Sequence, residues 1–454
     1  MKKMLRKALA VAALTLLATH GVPALATAPA PTPAYFVDES KLPFAALPGL
    51  PARQLWGVHE GAGYRIEVPE QWNGKLVMWA HGFRGTGLEL TVDDHPLRPF
   101  LLSQGYAWAA SSYAKNDYTP AQGARDTHAL TWVFRHRVGH PSRTYISGAS
   151  MGGHVTTIIA EQFPWAYDGA MPVCGVQADY ELFDYFLDFN VAAQALSGVG
   201  KTFPYGADYL TTTVPATKAA LGPQFPFALN ANGQNLKNLV QLRSGGVRPL
   251  FEQGWQFWNA VAGDFLFGLG VGNGTVAGSR GNVLRNADVV YQFDTLPAQS
   301  AAETVFNSSV QRIRDDPGAR LRLGFVYRPV DLVPTPGLLF MPMLTLHTLG
   351  DLFVPFHMQQ EYARRVKAKG LKHNLVQRAT RDYGHCSFTG PELAQTFTDL
   401  VKWVEQGIRP KGDDVLDAAA VARPDFGCQF TDKVSPRQWD TVPALAFLKP
   451  PACP

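Results

Sequence analysis

The stretch Y-I-S-G-A-S-M-G-G-H, Tyr145 to His154, decides how the rest of the chain is read. An apolar approach from Arg143 runs into Ser150, with Gly148 and Gly152 on either side and Gly153 behind. Such spacing acquires meaning where a strand turns sharply into a helix. The turn is tight, side chains at the flanking positions would crowd it, and the serine stands above the sheet. In an irregular loop the same glycines mean little, so the surroundings decide.

Those surroundings alternate short apolar runs with helical patterns, the rhythm of parallel strands joined by helices. Y-R-I-E-V-P (Tyr64 to Pro69) and K-L-V-M-W-A (Lys75 to Ala80) read as strands, P-L-R-P-F-L-L-S-Q as a helix and Y-A-W-A-A-S-S-Y as the next strand. A helix over Asp126 to Val138 precedes the Ser150 strand, and a helix over Gly153 to Phe163 follows it. D-G-A-M-P-V-C, ending at Cys174, is a further strand. The rhythm then breaks and resumes with M-L-T-L-H-T (strand), H-M-Q-Q-E-Y-A-R-R-V-K (helix), H-N-L-V-Q-R-A (strand) and a helix over Glu392 to Gln406. Between them lie aromatic helical pieces such as Y-E-L-F-D-Y-F-L-D-F and F-E-Q-G-W-Q-F-W-N-A-V, with glycine-rich joints such as F-G-L-G-V-G-N-G. About 165 residues is too long for a bare loop. The expected organisation is an α/β core over 51–175 and 341–410, a helical insertion over 176–340 acting as a lid, and a tail over 411–454 packed on the core.

Placed at the end of a central strand, Ser150 needs a base, because an unassisted hydroxyl is protonated at neutral pH. Asp351 follows one late strand and His385 follows the last, giving the order Ser, Asp, His. His81, His154 and His347 lie near the same strand ends, but His385 alone follows the last expected strand. Asp382 is too near His385 in sequence to approach its ring easily, and Asp331 precedes the strand that leads to Asp351.

Gly148-Ala149-Ser150-Met151-Gly152, the G-D-L-F-V-P around Asp351, the G-H-C around His385 and the upstream A-H-G-F-R-G-T-G together resemble the α/β-hydrolase superfamily. The resemblance covers the sheet domain and says little about the insertion. It implies a mostly parallel, doubly wound sheet with a large helical lid, a catalytic triad of Ser150, Asp351 and His385, and an oxyanion hole from the backbone N–H groups of Phe83 and Met151. No cofactor and no metal are expected. Cys386 directly after His385 resembles tannase-like and feruloyl-esterase-like hydrolases, although Ala149 stands before Ser150 where those enzymes carry a cysteine. The expected activity is hydrolysis of a carboxylic ester, with an apolar or aromatic acyl group matched to the aromatic lid. A phthalyl-amidase-like enzyme with the same triad is the alternative, and a silent binding protein on the same fold is a third.

Composition is consistent with a folded, exported protein. Of 454 residues 46% are hydrophobic and 17% charged, enough to bury a large core. Lys2, Lys3, Arg6 and Lys7 precede a short apolar run, and Ala24-Leu25-Ala26 supplies a cleavage site, so residues 1–26 read as a secretory signal. Residues 27–50, opening on the Ala/Pro-rich T-A-P-A-P-T-P-A, read as a flexible leader. Removing the signal takes four basic residues from the 41 and leaves 37 against 37 acidic, so neither nucleic acid nor membrane is an expected partner and the substrate is a small molecule or polymer. A secreted or periplasmic location makes Cys174, Cys386, Cys428 and Cys453 candidates for two disulfides. Pairing Cys174 with Cys386 and Cys428 with Cys453 asks for the least chain distortion among the three connectivities.

Overall fold

The structure is a computed structural model that describes residues 34–453, apart from 201–202, 271, 322–323 and 328–330. The expected signal segment, and the leader as far as residue 33, lie outside the described residues. Arg143–Ala149 forms the strand expected around the serine, buried from Thr144 to Gly148. Burial on both faces explains why the neighbours Tyr145 and Ile146 are both apolar. Among the described residues it is β5 of the eight strands of the main sheet: β1 Ala52–His59, β2 Ala62–Pro69, β3 Lys75–Ala80, β4 Ala107–Ser111, β6 Gly169–Val173, β7 Met343–Thr348 and β8 Leu375–Thr380. Their order across the sheet is β8-β7-β6-β5-β3-β4-β2-β1. β2 runs antiparallel to both its neighbours, and every other pair is parallel.

β1 was not anticipated from the sequence. It pairs with β2 along its whole length through a two-residue turn, Glu60-Gly61, with φ of 50° and 82°. That is the geometry of a primed hairpin turn, whose twist matches that of the strands it joins.

Side chains alternate between the two faces of the sheet. Leu76, Met78, Ala107, Ala109 and Ile146 pack into one core with helices α2 (Pro120–Arg137), α3 (Met151–Gln162) and α10 (His357–Ala368). Val77, Trp79, Trp108 and Tyr145 pack into the other with α1 (Arg98–Ser103) and α11 (Gly390–Gln406). The sheet is therefore doubly wound. α2 starts at Pro120 rather than Asp126, because a proline in the first turn costs no hydrogen bond and has its φ preset for a helix. Chain order reverses on either side of β5, which leaves the crevice beyond its C-terminal end open to loops from β3, β7 and β8.

Between Val173 and Met343 no described segment joins this sheet. The first part of that span is helical: α4 Glu181–Ser197, α5 Val214–Leu221, α6 Ala231–Arg243, α7 Phe251–Gln256 and α8 Phe265–Gly268. The second part differs from the expected helical character. From Leu269 to Pro342 the one described helix is α9, Ala301–Ser309. Glycine, proline, asparagine and aspartate interrupt every run there, and side-chain bonds such as Asn282 Nδ2 to the Arg314 carbonyl fold the backbone instead. Leu187, Phe189, Trp255 and Phe267 form a core shared with Leu352 and Val354 of the sheet domain, so the insertion is packed onto the segment that carries Asp351. Among the described residues no helix is long and apolar enough to cross a membrane.

Candidate active site

Ser150 lies between β5 and α3 with φ 60° and ψ −122°, a conformation that costs a non-glycine residue about 1–3 kcal/mol. Close packing enforces it. A Cβ at Gly152 would stand 2.0 Å from the Ala80 carbonyl oxygen, and one at Gly148 would stand 2.3 Å from the Gly152 oxygen. The Ser150 N–H donates to the Val173 carbonyl at 3.2 Å, and its own carbonyl accepts from Gly153 and His154 at 2.9 and 3.2 Å. The backbone is thus held on both sides, while among the described residues the hydroxyl has no hydrogen-bond partner.

Asp351 is 0% exposed and sits just past β7. Its Oδ1 accepts the Phe353 and Val354 amides at 2.9 and 3.0 Å, and its Oδ2 lies 2.5 Å from His385 Nδ1. Three hydrogen bonds compensate a carboxylate taken out of water. The His385 side chain is 16% exposed. Its Nε2 faces Cys386 Sγ at 3.4 Å, and among the described residues no hydrogen bond joins it to Ser150. Cys174 and Cys386 form one disulfide, Cys428 and Cys453 the other. Ser150, Cys174 and Cys386 all have positive φ, so the loops after β5, β6 and β8 each carry a strained backbone position.

The rival histidines are occupied elsewhere. The His81 ring contacts the Gly82 and Ser112 carbonyls, His154 contacts Tyr118 and the Val333 carbonyl, and His347 contacts the Val354 carbonyl and Gln359. Burial pushes each of the three down to about 4, which holds them neutral at pH 7. Asp382 is pushed up to about 7 by burial and bonds the Gly384 N–H at 2.9 Å, and Asp331 pairs with Lys115 and Arg125.

His81 has a further consequence. Its ring stacks on Tyr113 at 3.9 Å, and the Tyr113 hydroxyl donates to the His81 carbonyl, which fixes the turn leading into Gly82 and Phe83. Gly82 lies against Ser150: a Cβ there would be 3.2 Å from Ser150 Cβ. Phe83 comes next, and Met151 opens α3. Among the described residues neither of these backbone N–H groups donates to a protein acceptor.

An apolar wall stands beside the imidazole. The Phe353 ring lies 4.9 Å from that of His385 and is itself packed by Phe265, Trp258 and Phe186 from the insertion. Trp258 Nε1 donates to the Tyr383 carbonyl at 3.0 Å, tying the insertion to the His385 loop. Cys174, His385 and Cys386 bring three potential ligand atoms within 4.8 Å, but both sulfurs are spent in the disulfide and neither is a thiolate able to bind a metal.

No family model matches the chain. In sequence it is similar to o-phthalyl amidase of Xanthobacter agilis, 23% identical over 420 residues that cover 81% of this chain and 91% of the amidase. Among solved structures it is similar to tannin acyl hydrolase from Aspergillus niger, at 14% identity and TM-score 0.43 over 79% of each chain. Feruloyl esterase B from Aspergillus oryzae follows at 13% identity and TM-score 0.36, over 79% of this chain and 80% of that one. The strand order, with a left-handed serine between β5 and α3, decides the architecture. The chain has an α/β-hydrolase fold. Ser150 follows β5, Asp351 follows β7 and His385 follows β8, so all three stand past the C-terminal ends of parallel strands, in the chain order Ser, Asp, His. Phe353 and the ring contacts of His81 were not singled out in the sequence, although Phe353 sits in the same L-F-V-P run as the turn at Asp351.

Proposed function

We propose that the protein is an exported serine hydrolase that cleaves carboxylic esters with an apolar or aromatic acyl group through an acyl-enzyme. The observation that carries this reading is the 2.5 Å contact between His385 Nδ1 and the buried Asp351 carboxylate, beside a serine held in an elbow. With Nδ1–H donating to Asp351, the lone pair of the imidazole is left on Nε2, the tautomer a general base needs. Nε2 exchanges Cys386 Sγ for Ser150 Oγ as substrate binds, takes the hydroxyl proton as the oxygen attacks the carbonyl, and returns it to the leaving group. The free N–H groups of Phe83 and Met151 receive the negative charge on the carbonyl oxygen. Water then repeats the cycle on the acyl-enzyme. The acyl group lies along Phe353 and the insertion aromatics behind it, which supports an apolar or aromatic acid component. Two disulfides support an oxidising, extracytoplasmic location.

The second reading is an aromatic acyl amide, favoured by the amidase relative, which covers most of both chains. The two differ in the leaving group: an amine is the poorer one and depends more strongly on protonation by His385 before it departs. The test is a panel of paired aryl-acyl and short-chain esters and amides, run with Ser150→Ala. The expected result is hydrolysis of aromatic acyl esters that Ser150→Ala abolishes. Faster turnover of the amide member of each pair would make the enzyme an amidase, and unchanged hydrolysis by Ser150→Ala would refute the serine mechanism.

A further inference from the structure

The tail after α11 contributes Arg437, which the proposed mechanism does not use. It is 7% exposed, as buried as many core side chains. Its Nη1 lies 3.4 Å from Asp382 Oδ2 and donates to the Ser387 carbonyl at 3.0 Å, and its Nη2 pairs with Glu392 Oε1. Asp382 stands three residues before His385 and Ser387 two after it. One guanidinium therefore grips both ends of the loop that presents the imidazole.

The rest of that loop is held in the same way. The Gly350 N–H donates to the Asp382 carbonyl at 2.8 Å, and Thr348 Oγ1 donates to the Gly384 carbonyl at 2.8 Å. Trp439, two residues beyond Arg437, packs its ring 5.5 Å from that of Tyr383. Glu392 also closes the N-terminal capping box of α11 with Thr389, so Arg437 fixes the loop relative to the helix that follows it. A planar fork with several donors suits this task. A lysine ammonium, as a point charge, keeps the ion pairs but not the bridge.

The geometry points to Arg437 as a positioning residue: held between Asp382, Ser387 and Glu392, it fixes the backbone on both sides of His385 and so places the imidazole for proton transfer. The inference rests on the serine-hydrolase reading of the site. A general base displaced by about 1 Å can cost about 100-fold in rate without weakening substrate binding.

The experiment compares Arg437→Ala, Arg437→Lys and Arg98→Ala in the full chain, with Ser150→Ala alongside. Arg98 is equally buried at 7% exposure and pairs with Glu67 at 2.6 Å, on the far edge of the sheet. Each variant is read for kcat and KM on an aryl ester, for Tm, and for recovery of kcat by millimolar guanidinium. Arg437→Ala is expected to lose about 10- to 100-fold in kcat with KM unchanged, and to regain part of it with guanidinium. Arg437→Lys should fold and fall between Arg437→Ala and the parent, while Arg98→Ala should lower Tm and leave kcat alone. Should Arg437→Ala fail to fold, a parental kcat in Arg437→Lys overturns the inference. A parental kcat in Arg437→Ala, with Ser150→Ala inactive, overturns the positioning role and leaves the hydrolase reading standing. An active Ser150→Ala overturns both.

Discussion

Removing the Cys174–Cys386 disulfide should separate two of its effects, one on the fold and one on the base. The bridge joins residues 212 apart, and the chain-entropy model then gives an upper bound of about 5 kcal/mol of stabilisation, against about 3.5 kcal/mol for Cys428–Cys453 with its separation of 25. The second effect follows from the backbone. Cys174 and Cys386 are held at φ 43° and 57°, where a residue with a Cβ costs about 1–3 kcal/mol. Without the bridge Cys386 is free to relax to negative φ and carry its neighbour His385 away from the Ser150 side. A bias of about 1–3 kcal/mol against the productive loop lowers its population, and with it kcat, by about 5- to 150-fold. The assay is kcat on an aryl ester for Cys174→Ser/Cys386→Ser, at a temperature well below its own unfolding midpoint, with a urea titration for stability. Cys428→Ser/Cys453→Ser, which leaves the bridge beside His385 intact, should lose less stability and less activity. A Cys174→Ser/Cys386→Ser enzyme that is destabilised but keeps its full kcat would refute the argument that the bridge holds the base.

Asp351→Asn should leave His385 in the wrong tautomer and lower kcat by about 10⁴-fold with little change in KM, measured by steady-state kinetics. Gly152→Ala drives a Cβ to 2.0 Å from the Ala80 carbonyl, so both backbones must part; a loss of about 1–3 kcal/mol in urea unfolding, together with reduced kcat as the Gly82–Phe83 turn shifts, is expected. Phe353→Ala should lower kcat/KM for aromatic acyl esters by roughly 10-fold while leaving acetyl esters nearly unchanged, read from the ratio of the two. His347 ionises at about 4 when folded against 6.5 ordinarily, so between these values the unfolded chain binds a proton that the folded one refuses. Its contribution is present above 6.5 and lost as pH falls through 4. The stability advantage of the parent over His347→Gln should therefore shrink by up to about 3 kcal/mol from pH 7 to pH 4 in urea titrations, whereas a pH-independent difference would mean His347 protonates freely in the fold.

How much of this was legible depends on whether the signal was local. β3 ends where its apolar run ends, because a central strand buried on both faces leaves no polar interruption. β1 escaped notice: Arg53, Gln54 and Gly57 dilute its alternation, and it is specified by pairing with β2 more than by its own pattern. The elbow was legible because Gly148 and Gly152 answer a steric demand that few other turns make. Asp351 and His385 were legible as residues following particular strands. What holds them was not, since Phe353 and Arg437 act through contacts that sequence separation hides, 50 residues in the case of Arg437 and Ser387. The insertion illustrates the same limit. Its aromatic helices announce themselves by composition, but the long irregular course from Leu269 to Pro342 is fixed by side-chain-to-backbone bonds such as those of Asn282 and Asn286.

The most direct test of the central claim is to trap the nucleophile. The protein is treated with a fluorophosphonate, digested, and the modified peptide sequenced by mass spectrometry, with His385→Ala as the comparison. The expected result is one phosphonylated residue, Ser150, loss of activity in proportion to labelling, and much slower labelling in His385→Ala. Labelling at any other serine with activity lost, or full activity in a protein stoichiometrically modified at Ser150, would contradict it.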